Sequence, residues 1–223
     1  MADPRKVKVL DSYQTLKAVR TAADSDAVSG APLPARPRKK TVPTKQFIIC
    51  YECGYTFQLH GRAKKVPCSK CRASLDLTDH IITGKWSGPL KTAASIHIKP
   101  EAVVQAGDLV GKTVLLDGKL EAGTVRALER LEIGPRAKFD EGSIHAPNLL
   151  VGDEADVTFR QASQWRDLEI HGTVRAAVLA TGRVIIRSGG LLEGELTAEH
   201  LQVEEGGGLR ARVTIATAAS SKP

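Results

Sequence analysis

Between Ile96 and Val203 the chain repeats one short pattern, a pair of apolar residues flanking a single variable one. It occurs seven times, as Ile96/Ile98, Val114/Leu116, Leu131/Ile133, Leu149/Val151, Leu168/Ile170, Val184/Ile186 and Leu201/Val203. The first members are 18, 17, 18, 19, 16 and 17 residues apart. Each pair is a two-residue alternation, which is the signature of a strand with one buried face. A strand pattern returning at so short and steady a period predicts a solenoid, in which every repeat is one coil of a β-helix.

The residues between the pairs follow a common grammar. A glycine stands seven or eight residues before several pairs, at Gly88, Gly107, Gly123, Gly142 and Gly194, where it opens a strand. A small residue falls six positions after the first pair member, at Ala102, Ala137, Ala155, Gly190 and Gly207. A unit of glycine, apolar residue and alanine in alternate positions recurs at Gly118–Ala122, Gly123–Ala127, Gly142–Ala146, Gly172–Ala176 and Gly194–Ala198. Three short strands and three turns fill each period, so the cross-section should be roughly triangular. With strands ~4.8 Å apart along the axis, about seven coils make a rod of roughly 35 Å. The pattern is interrupted between Val157 and Arg166. There Phe159 is expected to replace small residues inside, and Trp165 is read as a surface contact point or a filler of a local turn.

Composition agrees with a narrow core. Apolar residues make up 42% of the 223-residue chain but aromatics only 4%, so the interior must be filled by aliphatic side chains. The net charge of +7 is uneven. Residues 1–45 hold ten Lys/Arg against four Asp/Glu, whereas residues 81–223 hold 17 against 18. A neutral rod is a poor nucleic-acid track, so basic recruitment belongs to the front third. No run of about 18 apolar residues is present for a membrane-spanning helix, and Met1 to Leu10 lacks the apolar core of a secretory signal. A cytoplasmic location is expected.

The chemistry lies ahead of the repeats. Cys50 and Cys53 form one CxxC pair, and Cys68 and Cys71 form another. A two-residue gap lets both thiolates of a pair reach one metal from a tight turn, with Gly54 free to take the positive φ that turn favours. Arg72 occupies the equivalent position after the second pair. Phe47, Ile48, Ile49, Tyr55, Phe57, Val66, Leu75 and Leu77 alternate around the cysteines like short strands, resembling a zinc ribbon over residues 46–78. Four thiolates make a closed structural Zn(2+) site; a redox dithiol pair is the competing reading. His60 and His80 are read as surface residues. A ribbon this small is expected to need its metal to fold, and Cys50→Ser to unfold it alone.

Residues 1–45 read as a disordered basic tail and linker. Lys8–Arg20 is a narrow helical candidate, and the stretch from Gly30 to Pro43 is a stiff Pro-rich linker. Arg36, Arg38, Lys39 and Lys40 there, with Lys64, Lys65, Lys70 and Arg72 on the ribbon, are candidate contacts for an anionic membrane surface, a nucleic acid or an acidic protein partner. Residues 81–215 constitute the rod, and 216–223 a short tail.

The repeats resemble the bactofilin family, best over Leu131–Val151 and Gly190–Val203. The resemblance covers about residues 81–215. It implies a right-handed, three-sided β-helix that assembles end to end without nucleotide, and a bacterial scaffold for cell shape, envelope synthesis or chromosome organisation at the inner face of the membrane. The all-β fold, the homopolymer and the recruited partner are therefore the expectations. The bare strand edge after Gly208–Ile215 is expected to be open for stacking; the ribbon either caps the opposite end or lies alongside it. The alternative is a zinc-ribbon nucleic-acid-binding protein multimerised by the rod. A six-residue-repeat acyltransferase fits poorly: six-residue spacing fails after Val151, and His145 and His171 lack any accompanying carboxylate or cofactor motif. No catalytic residues are assigned.

Overall fold

The structure, a computed structural model, describes residues 45–216. The Lys8–Arg20 candidate helix, the basic run Arg36, Arg38, Lys39 and Lys40, and most of the C-terminal tail lie outside them. The chain is all-β. The cysteine-bearing segment supplies β1 (Lys45–Ile49), β2 (Thr56–His60), β3 (Lys65–Pro67) and β4 (Ser74–Asp76), which form two antiparallel hairpins, β1–β2 and β3–β4.

Residues 80–215 form a β-solenoid of eight coils with parallel pairing throughout. Coil one is β5 (His80–Ile82), β6 (Lys85–Ser87) and β7 (Leu90–Lys91). Coil two begins with β8 (Ser95–Ile98) and β9 (Val103–Ala106), and β10 (Asp108–Leu116) carries it into coil three. Then come β11 (Lys119–Leu120), β12 (Thr124–Ile133), β13 (Ile144–His145), β14 (Asn148–Val151), β15 (Asp156–Thr158), β16 (Ser163–Trp165) and β17 (Asp167–Ile170). The long strands β18 (Thr173–Ile186), β19 (Leu191–Val203) and β20 (Gly208–Ile215) bend around corners to complete coils six to eight.

The seven apolar pairs stack one upon the next. Ile96, Val114, Leu131, Leu149, Leu168, Val184 and Leu201 are successive ladder partners, and the second members follow in the same register. One side of the triangle is therefore an unbroken parallel sheet. The second side runs through β6, β9, β11, β15 and the first segments of β18, β19 and β20. The third runs through β7, β10, β12, β13, β16 and the later segments of β18 to β20. Inward Val, Ile, Leu and Ala from all three sides form one continuous buried core.

Glycine is required where backbones meet at corners. A Cβ on Gly107 would lie 2.1 Å from the Gly88 carbonyl oxygen, and one on Gly123 would lie 2.0 Å from that of Gly107. Both have positive φ, which only glycine adopts freely. Carboxylates pin other corners: Asp117 accepts from the Arg136 amide at 3.1 Å, Asp167 from the Arg183 amide at 3.0 Å, and Glu141 from the Arg160 and Gln161 amides.

The interrupted coil corrects one expectation. Phe159 is inside, but so is Trp165, which is neither a surface contact nor a turn filler. Trp165 pairs with Ala180, and Ala198 and Ile215 continue that column, while Gly111 and Ala127 hold the matching position in coils two and three. Small neighbours leave room for the indole, which packs against Phe159 with ring centres 5.9 Å apart; Phe159 in turn meets Phe139.

Two predictions follow from this packing. Leu131→Ala, in the middle of the first column and fully buried, should lower unfolding free energy by about 2–5 kcal/mol in denaturant titration. Amide and hydroxyl donors hold Asp79, Glu141 and Asp167 below the ordinary carboxylate range: Ser95 for Asp79, the Arg160 amide for Glu141, the Arg183 amide for Asp167. Because the folded values are depressed, their stabilisation is complete above about pH 4–5 and is lost as pH falls through the folded values. The melting temperature should therefore drop on acidification below that range, and less so in Asp167→Asn.

Candidate metal centre

Two turns of matching construction bring the cysteines together. After β1, the Gly54 amide donates to the Cys50 carbonyl at 2.9 Å and the Cys50 amide to the Tyr55 carbonyl at 3.0 Å. After β3, the Arg72 amide donates to the Cys68 carbonyl at 2.9 Å and the Cys68 amide to the Ala73 carbonyl at 2.9 Å. The residue following each second cysteine is left-handed, Gly54 at φ 70° and Arg72 at φ 61°. Arg72 thus adopts the glycine conformation despite its side chain, at a cost of roughly 1–2 kcal/mol.

The four Sγ atoms lie within 4.8 Å of one another. Cys50 Sγ is 3.6 Å from Cys71 Sγ, and Cys53 Sγ is 3.8 Å from Cys68 Sγ. These separations are far longer than the ~2.05 Å of a disulfide. They match the edge of a tetrahedron with metal–sulfur bonds of ~2.3 Å, which is about 3.8 Å. Cys50 and Cys68 are buried, and Cys53 and Cys71 face outward. The amide of Cys71, with that of Lys70, lowers the Cys68 thiol to about 6. Cys71 is pushed up to about 12: the Ala73 amide favours its thiolate, but burial and the neighbouring sulfurs outweigh it. Four thiolates at this spacing repel one another unless a cation sits among them. The donor set and its shape fit one metal ion, with no position left for a substrate.

The cysteine unit is tied to the rod through contacts with no sequence signature. Ala93, at the corner between β7 and β8, packs into the same buried cluster as Ile48, Cys50, Cys68 and Leu75. Its amide donates to the Asp76 carbonyl at 2.7 Å. Thr92 is fully buried, and its single hydroxyl proton is shared between the carbonyls of Asp76 at 3.2 Å and Thr78 at 2.9 Å. Lys91 pairs with Glu52 at 2.9 Å, and Lys112 donates to the Phe47 carbonyl at 3.1 Å. The ribbon therefore lies beside the first corners of the rod. Its strands pair with none of β5, β6 and β7, so it does not cap the end by strand addition.

Other proposed contacts disperse. Lys64, Lys65, Lys70 and Arg72 are exposed, and none makes an ion pair among the described residues. Only Lys70 meets an aromatic partner, lying 5.9 Å over the Tyr55 ring, which stacks on Phe57. His60 is exposed as expected. His80 is not a free surface residue: it is half-buried at the start of β5, 3.6 Å from Asp76. His145 is exposed, whereas His171 is partly covered and does have carboxylates beside it, Glu169 at 3.2 Å and Asp153 at 3.6 Å. Glu169 is itself bonded to Arg187 at 2.7 Å, so this group reads as one of the rod's surface ion pairs.

Elemental analysis of the purified protein should find one sulfur-bound metal ion per chain. Cys68→Ser should bring the ratio well below one and open the remaining thiols to alkylation.

A family model described as "Bactofilin: Polymer-forming cytoskeletal" matches residues 72–162 and 139–214, together more than half of the chain. No curated protein and no solved structure matches.

Proposed function

The chain belongs to the bactofilin family, a polymer-forming cytoskeletal family, and from that premise we propose that it is a non-enzymatic scaffold. Its rod stacks end to end into filaments. A zinc-held ribbon over residues 46–78 and the basic N-terminal segment recruit partners that are placed for cell shape, envelope synthesis or chromosome organisation. The site of action is the cytoplasm, at the inner face of the membrane; no helix among the described residues is long and apolar enough to cross a membrane.

The observation that carries this reading is the state of the last coil. Val203, Val213 and Ile215 are 42%, 37% and 54% exposed, while their ladder partners one coil earlier, Ile186, Leu196 and Ala198, are at 0%, 1% and 0%. The core column thus continues to the rim. The outer edge of β20 pairs with no strand among the described residues. An eight-residue edge with an apolar lining is a template for another edge. A second copy supplies both the missing ladder and the missing cover.

Zinc is the metal favoured by four thiolates in tetrahedral array, in a structural role. A second reading, single-stranded nucleic acid on the ribbon, draws on the exposed Tyr55 with Lys70 above it and on Lys64, Lys65 and Arg72, which make no ion pair among the described residues. A fragment spanning residues 1–80, loaded with zinc, should show strongly salt-dependent binding to an oligonucleotide if that reading holds.

Ile215→Arg places a charge in the exposed end of the column. Negative-stain electron microscopy should show filaments for the wild type and none for this variant, with its thermal stability nearly unchanged. Filaments of ordinary length from Ile215→Arg would overturn stacking through this edge.

A further inference from the structure

We infer that the metal-held ribbon is the brace that keeps coil one folded, so that metal loading decides which strand edge the rod offers to a second copy at its N-terminal end. This rests on the proposed metal site and end-to-end assembly, and adds the regulation that links them.

Coil one is the weakest part of the rod. Its strands have three, three and two residues, and each pairs on one side only, β5 with β8, β6 with β9 and β7 with β10. Among its inward residues Ile82 is buried, but Trp86 and Leu90 are only partly covered. Such a segment opens easily unless its ends are held together.

The ribbon holds them. The chain enters coil one through Asp76 and Thr78 and leaves it through Thr92 and Ala93. Thr92 bonds both entering carbonyls, the Ala93 amide bonds that of Asp76, and the Ala94 amide returns a bond to the Thr92 hydroxyl at 3.1 Å. The coil is therefore a closed loop whose clasp is the Asp76–Thr78 segment. That segment is positioned by the ribbon: β4 pairs with β3, the Tyr51 hydroxyl donates to the Ser74 carbonyl at 2.8 Å, and the Leu77 amide donates to the Lys64 carbonyl at 2.8 Å. The side chain of Ala93 meets the same cluster as Cys50 and Cys68.

A four-thiolate ribbon of this size has too small a core to fold without its metal. On metal loss the Asp76 carbonyl is no longer fixed and the Ala93 methyl loses its cover, so the clasp opens. Coil one then frays, and the new rim is formed by β8, β9 and the start of β10. Ile96, Ile98, Val104 and Leu109, all fully buried in the intact rod, would line it. A second copy that recognises the rim of coil one, with its half-covered Trp86 and exposed Ile81, loses that surface.

The test is hydrogen exchange on the full chain, as loaded protein, after removal of metal by a chelator under reducing conditions, and after zinc is returned. Stripping should speed exchange across β5 to β7 and the edge of β8 by at least about tenfold, leave the β18–β19 pairing unchanged, and be reversed by zinc. Thr92→Val, which keeps the branched shape but removes the clasp hydroxyl, should retain one metal per chain and still show fast exchange in coil one. In an Ile215→Arg background, where the opposite edge is blocked, loaded and stripped protein should sediment differently because the rim on offer has changed; identical profiles would overturn the link to assembly. A stripped protein whose coil one exchanges as slowly as the loaded one overturns the inference while leaving the metal site intact. A protein that never takes up zinc at one per chain overturns the metal reading itself.

Discussion

The rest of the structure depends on register. Parallel strands place each inward residue directly over its counterpart one coil away, so the aliphatic columns led by Ile96 and Ile98 are continuous from coil to coil. A slip of one residue in any coil would turn its apolar pair outward and put polar residues against buried neighbours above and below. That penalty selects the period of sixteen to nineteen residues.

The same constraint leaves the ends unsatisfied. A closed barrel pairs its first and last strands, but a solenoid cannot, and its stability is a sum of nearest-neighbour terms. The two ends of this rod differ. At the C-terminal end a long strand displays the lining of the core. At the N-terminal end three short strands rely on a neighbour that belongs to a different kind of fold. The ribbon reaches the rod through its corner, by way of Thr92 and Ala93, rather than through its strands. The N-terminal edge therefore stays unpaired although the ribbon sits next to it, and the buried thiols share their packing with the rod.

Charge follows the same division of labour. Along the rod, outward residues pair with the coil above or below, as Arg175 does with Asp156 and Glu193 and as Arg187 does with Glu169 and Glu204. These pairs are exposed or half-buried and each contributes little, but they leave the flank neutral. The ribbon's cations have no such partners among the described residues. The exposed cations of the ribbon are thereby separated from the open strand edge at the C-terminal end.

The repeating pairs by themselves determined the solenoid, its three-strand coil and the identity of the inward columns, because strand alternation and a fixed period are local properties written at every repeat. The cysteine spacing likewise determined the two turns that bring the four thiols together, since a CxxC turn closes within a few residues. Tertiary structure decided what depends on neighbours distant in the chain. Trp165 is buried because its ladder partner one coil on is Ala180, with Ala198 beyond it, so the room for the indole is a property of other coils. His80 is half-covered because β5 begins the rod there. Thr92 and Ala93 belong with the cysteine unit because a corner of the rod meets that unit's core, and a threonine–alanine dipeptide carries no periodic signal. Whether the ribbon covered the end or stood beside it was decided by backbone pairing: its four strands pair only with one another, in two hairpins, and none joins the edge of the rod.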